Sequence, residues 1–183
     1  QAPHARRTRT HAADGPTAEA PLDASLPVDY IAAELSTSRA EERRLAYCEC
    51  HDQSLVGDQA LAFRLMGSAM YHYMERACTP PNAYVERGVA LHKMARLATY
   101  GASADAYLNF IGNEFGHPEW LDMPCDANGN SLRFARRRWD LADDESLRYS
   151  QLLAFDCAMH AATSASHSPL PPSASAASLS DER

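Results

Sequence analysis

Between residues 28 and 160 the apolar side chains recur at helical spacing, and no run of four to eight residues alternates as a half-buried strand would. That period constrains the fold more than any other feature. It is clearest in Asp58–Cys78, where Arg64, Ser68 and His72 fall on one i, i+4 stripe. Leu61, Phe63, Leu65, Met66, Ala69, Met70, Tyr73 and Met74 cover the remaining surface. So wide an apolar surface predicts a central helix packed on several sides, ~30 Å long at a rise of ~1.5 Å per residue.

Local signals divide the rest. Ser38-Arg39-Ala40-Glu41 reads as a capping box, in which the Ser side chain takes the third helical N–H and the Glu reaches back. It predicts a helix to about His51, preceded by a short one over "VDYIAAEL". "TPPN" stops the 58–78 helix, because proline removes a donor and fixes φ. The next helix is predicted over Asn82–Tyr100, with Val85, Gly88, Val89, His92, Ala95 and Thr99 on one face. Gly101 suits a left-handed C′ position and Ser103 an N-cap, which predicts a returning helix over Ala104–Phe115. A loop, "GHPEWLDMPCDANGN", separates it from a short basic helix over Ser131–Trp139, with Phe134 and Trp139 turned inward. Asp143 and Asp144 open a last helix to about His160, with Tyr149, Leu152, Leu153 and Cys157 inward. No repeat recurs at a fixed period.

The fold class expected is therefore all-α: a single compact helical bundle of five to seven helices over residues 28–160. Residues 1–27, rich in Ala, Pro, Thr and Arg, and residues 161–183, rich in Ser, Ala and Pro, lack apolar periodicity and read as disordered tails.

The formal net charge is −7. The first 27 residues balance and the tail carries Asp181, Glu182 and Arg183, so the acidity belongs to the middle. A nucleic-acid partner is not expected of so acidic a chain, and the Arg133, Arg136, Arg137 and Arg138 cluster reads as a solvated face. No stretch reaches the ~18 apolar residues of a membrane span. The start "QAPHARR" suits a chain that has lost a leader, and five cysteines suit an oxidising compartment. A periplasmic or secreted location is expected.

"YCECHDQ", residues 47–53, is the densest chemistry in the chain. A c-type haem site requires Cys-x-x-Cys-His, and Cys48-Glu49-Cys50-His51 is one residue short. Zinc ligation by Cys48, Cys50 and His51 meets a similar objection, since structural sites space their cysteines by two to four residues. Glu114-Phe115-Gly116-His117 has the Glu-x-x-His spacing of di-iron bundles, but a second copy is missing. Asp126, Asn128 and Asn130 begin like a calcium loop, yet Arg137 stands where a bidentate Glu is required. These residues are therefore metal candidates only, no catalytic set is assigned, and no cofactor is expected.

With antiparallel helices, Cys78 is placed beside Cys125, and Cys157 beside Cys48 or Cys50, giving two disulfides and one free thiol. On these grounds the chain is expected to be an exported, non-enzymatic binding protein, such as an inhibitor, immunity-type partner or adaptor, whose partner is another protein. One alternative is a small helical enzyme or metalloprotein using His92, His117, Glu114 or the Cys48–His51 group between helices. Another is a binder of a small apolar ligand held by the Met- and Tyr-rich 58–78 helix.

Overall fold

A computed structural model describes residues 25–37, 39, 41–55, 59–102, 105–118 and 121–166. The chain divides into two units, residues 1–34 and 35–183. In the first, α1 (Val28–Ser36) begins; it buries none of its residues, and Val28, Tyr30 and Ile31 are exposed.

The second unit runs β1 (Leu45–Ala46), α2 (His51–Leu55), α3 (Leu61–Met66) with a 3-10 extension over Gly67–Tyr71, and α4 (Ala83–Ala102). After it come β2 (Ala106–Tyr107), a 3-10 turn at Asn113–Phe115, a second at Asp126–Asn128, α5 (Trp139–Asp143) and α6 (Arg148–Ser166). The strands pair in parallel, Leu45 with Ala106 and Ala46 with Tyr107. The Leu108 N–H extends the ladder to the Ala46 carbonyl at 2.9 Å. A parallel pair with helices in its crossover is not an all-α bundle, so the expected fold class is corrected to a helix-rich chain with a small parallel sheet.

Two of the expected helices are replaced by these strands. Residues 42–50 form no helix: Glu41 has φ 69°, and the backbone is extended at Leu45 and Ala46. The capping box proposed there includes Ser38, which lies outside the described residues. Residues 105–112 likewise carry β2 and a loop. In both places the strand pairing and long-range side-chain bonds override local helical period; Arg44, for example, donates its N–H to Asp105 Oδ2 at 2.8 Å. The predicted basic helix over 131–139 is also absent, and helix begins only at Trp139. Phe134 and Trp139, expected inward, are about half exposed.

α4 keeps nearly its predicted bounds. Asn82 caps it, its Oδ1 accepting the Val85 N–H at 3.0 Å. Its buried face is Val85, Gly88, Val89, His92, Arg96 and Thr99. Gly88 permits the close crossing of α3: a Cβ there would fall 2.1 Å from Met66 Cγ and 3.2 Å from the Leu65 carbonyl. Met66, Met70 and Met74 join Ala62, Val85, Val89, Phe115, Ala142, Tyr149 and Leu152 in one core. The methionines of the 58–78 segment thus fill the centre of the fold. A recess of about 220 Å³ beside them is lined by Met70, Met74, Leu141 and Leu147 together with His72, Glu75 and Arg138. α4 and α6 are joined by Arg148 and Glu86, 2.5 Å apart, and by the buried pair Arg96–Asp156.

All five thiols are free. The expected disulfides, Cys78–Cys125 and Cys157 with Cys48 or Cys50, are corrected by this finding. They rested on a stack of antiparallel helices that the chain does not build. Cys48 Sγ instead lies 3.2 Å from Thr99 Oγ1, and Cys78 Sγ lies 3.5 Å from the Pro80 carbonyl.

Candidate functional site

The segments leaving the C-terminal ends of β1 and β2 converge. The first, residues 47–55, begins with an extended stretch and turns into α2. Its geometry comes from side chains bonding backbone: Gln53 Oε1 accepts the Cys50 N–H at 2.8 Å, and the buried Glu49 carboxylate accepts the Leu61 N–H at 2.6 Å. Burial pushes the Glu49 carboxyl up, while that hydrogen bond and the charges of Arg96 and Arg137 oppose the rise.

The second segment, residues 108–118, is organised around Glu114. Its Oε2 accepts the Asn109 side-chain N–H and the Gly112 backbone N–H, each at 2.8 Å. Gly112 has φ 93°, and a Cβ there would lie 2.5 Å from Arg137 Nε. Glycine is required on both counts.

Arg137 joins the two segments. Its Nε donates to the Ile111 carbonyl at 2.6 Å, and Nη1 lies 3.0 Å from His117 Nδ1. Nη2 donates to Ser54 Oγ at 3.1 Å and to Asn113 Oδ1 at 3.4 Å. The guanidinium also lies 5.4 Å from the centre of the Phe110 ring. Burial pulls its pKa down, and Glu49 and Glu114 oppose that. Deeper in the same region, Arg96 donates to Asn109 Oδ1 at 3.0 Å and pairs with Asp156.

On the outer side stand His51 and Asp52, whose side chains are 59% and 63% exposed. His51 Nε2 lies 3.3 Å from Asp52 Oδ1, and the imidazole is tilted against Phe110 with ring centres 6.2 Å apart. A solvent-facing carboxylate beside an imidazole and an aromatic face can hold or move a proton next to a ligand with both polar and apolar faces.

The residues singled out by sequence are partly gathered here. Cys50 and His51 come together, with Asp52 as their companion, but Cys48 turns away to Thr99. Burial pushes the Cys48 thiol up, so it is held protonated; Thr99 and Arg96 oppose the shift. Glu114 and His117 share one loop but serve different partners, Asn109 and Gly112 for one and Arg137 for the other. His92 is fully buried, and neither ring nitrogen has a hydrogen-bond partner among the described residues. It lies on the inward face of α4 where the helical period places it. Asp126–Asn130 forms a tight turn, with Asn128 Oδ1 accepting the Cys125 and Ser131 N–H groups.

Sequence reasoning missed Glu49, Asp52, Asn113 and Arg137. Asp52 was legible, since His-Asp stands inside the stretch that attracted attention for its cysteines. Arg137 was hidden in a run of four arginines whose spacing does not distinguish it.

Functional residues at the C-terminal ends of parallel strands are the arrangement in which α/β proteins hold their ligands. No protein-family model matches the chain. Curated proteins do. The chain is 54% identical over 132 residues to a 1,4-alpha-glucan-branching enzyme of Dictyostelium discoideum, covering 72% of this chain and 19% of that protein. It is 52% identical over 125 residues to the 1,4-alpha-glucan-branching enzyme of Yarrowia lipolytica, covering 68% and 18%. The Saccharomyces cerevisiae enzyme of the same name matches at 54% over 125 residues, with the same coverage. The chain thus spans about a fifth of the length of the curated relatives it matches.

These likenesses overturn the expectation of a non-enzymatic inhibitor, immunity-type partner or adaptor, since the similar proteins are enzymes. The periplasmic or secreted location is corrected with it. One of its two supports was that the five cysteines suit an oxidising compartment, and the thiols are free. Among the described residues no helix is long and apolar enough to cross a membrane.

Proposed function

We propose that this chain is a working segment of a longer 1,4-alpha-glucan-branching enzyme, and that its segments 47–55 and 108–118 line part of the glucan site. The observation that carries this reading is the identity of 52–54% to enzymes of that name over about 70% of the chain. Geometry supports it. A parallel pair of two-residue strands is a small part of an ordinary sheet, and parallel sheets are ordinarily covered on both faces. In this reading the further strands come from the rest of the longer enzyme. Leu45 and Tyr47, each about half exposed, are the side chains those strands would cover.

Breaking and remaking a glycosidic bond ordinarily employs carboxyl groups on either side of it, and sugar rings pack on aromatic faces. Asp52 is the carboxylate of this site that faces solvent, and it has His51 and Phe110 beside it. Glu49 and Glu114 are bound to backbone N–H groups and serve the framework. Asp52 is therefore the group assigned to the reacting sugar, and His51 its polar neighbour.

The test uses the longer enzyme that contains this segment, with amylose as substrate and newly made branches as the readout. Asp52→Asn is expected to lower kcat by roughly a hundredfold or more while leaving the circular dichroism unchanged. Unaltered branching by that variant would remove Asp52 from the site.

A further inference from the structure

Cys50, His51 and Asp52 hold one ligand atom each within 4.8 Å of one another. Cys50 Sγ lies 3.5 Å from Asp52 Oδ2, and His51 Nε2 lies 3.3 Å from Asp52 Oδ1. A tetrahedral zinc ion, with Zn–S of about 2.3 Å and Zn–N and Zn–O of about 2.0 Å, sets S···O and N···O edges of roughly 3.5 and 3.3 Å. The observed distances are close to those edges but run to the two different oxygens of Asp52, so the carboxylate must turn to present one oxygen to an ion shared with Cys50 and His51. Thiolate, imidazole and carboxylate together favour a borderline-soft divalent cation over magnesium or calcium.

The surroundings fit such an ion. Cys50 is 5% exposed and forms the floor, while His51 and Asp52 open to solvent and leave a way in. The Cys50 backbone is held by its bond to Gln53, which fixes the turn that brings three successive side chains to one point. Cys48 takes no part, because its thiol is engaged with Thr99.

We propose that Cys50, His51 and Asp52 form a binding site for zinc or a similar thiophilic divalent cation, with water in the fourth position. Binding replaces the Cys50 Sγ–H bond by a metal–sulfur bond and releases that proton to solvent. An ion held there also occupies Asp52 and so inhibits glucan branching. That consequence, unlike the binding, rests on the function proposed above.

The experiment is a titration of cadmium into the 183-residue chain under reducing conditions, followed by the ultraviolet charge-transfer band of cadmium bound to thiolate. The native chain is expected to saturate with one equivalent, and zinc to displace it. Cys50→Ser should abolish the band. His51→Ala and Asp52→Asn, both at exposed positions, should each weaken binding by at least about tenfold. Cys48→Ser should leave it intact. A band that survives Cys50→Ser, or an affinity unmoved by both exposed-site variants, overturns the proposal. A native titration with zinc inhibition absent from the longer enzyme keeps the metal site and removes Asp52 from catalysis.

Discussion

Helix α4 and the segment Asn109–His117 meet where Arg96 bonds Asn109, yet they are held in shape by different means. α4 bonds its own backbone and buries one face against α3 and α6. The segment has one 3-10 turn and otherwise borrows: Glu114 supplies its internal acceptor, and Arg137 approaches from 20 or more positions away. A helix is specified by period, so neighbours can change without destroying it. A polar loop is specified by particular partners, and each one lost leaves a buried group without a bond.

The seam between the two regions should show the largest effect. Arg96 is 2% exposed and joins α4 to both Asp156 and Asn109. Arg96→Ala leaves a buried carboxylate without its cation and is expected to cost about 3–5 kcal/mol in denaturant unfolding. A cost near that of an exposed pair would show that the seam carries no strain when opened.

Acid should separate the regions next. Burial pulls His92 down to about 3, with Arg96 and Lys93 opposing its protonation further. Its folded pKa lies below its unfolded value, so its contribution is complete above about 6.5 and is lost as pH falls toward about 3. Between about pH 7 and 4 the loss is on the order of 3 kcal/mol. Glu49 acts in the opposite sense, because its raised pKa favours the folded state only where it is protonated. Comparing native protein with His92→Leu isolates the histidine: the variant should show a flatter acid limb. Parallel limbs would mean that His92 is hydrated in solution.

Gly88→Ala tests packing within the helical region alone. Alanine favours helix by about 1 kcal/mol, but its Cβ strikes Met66 and the Leu65 carbonyl. We expect a net destabilisation of about 1–3 kcal/mol, measured by urea midpoint. A stabilised variant would show that α3 withdraws freely.

The smallest effect belongs to the loop. Glu114→Gln keeps the side-chain length but weakens the acceptor for Asn109 and Gly112. About 1 kcal/mol of local stability should go, seen as faster hydrogen exchange at Gly112 with α4 amides unchanged. Exchange that rises equally in α4 would erase the distinction between the two regions.

The sequence by itself determined α4 from about Asn82 with Gly88 on its inward face, and placed the last helix near its observed position. Each depends on contacts within a few residues or on a period of 3.6, which a linear pattern records. It also marked residues 47–53 and 114–117 as chemically dense. Tertiary structure alone decided that Leu45–Ala46 and Ala106–Tyr107 become strands, because each is only a two-residue strand and its partner lies 61 residues away. It decided, too, that one arginine of four reaches Ser54, Ile111, Asn113 and His117, and that Cys50 turns toward Asp52 while Cys48 turns toward Thr99. A hydrogen bond is directional and short, and its partners are chosen by where the chain returns, not by spacing along it.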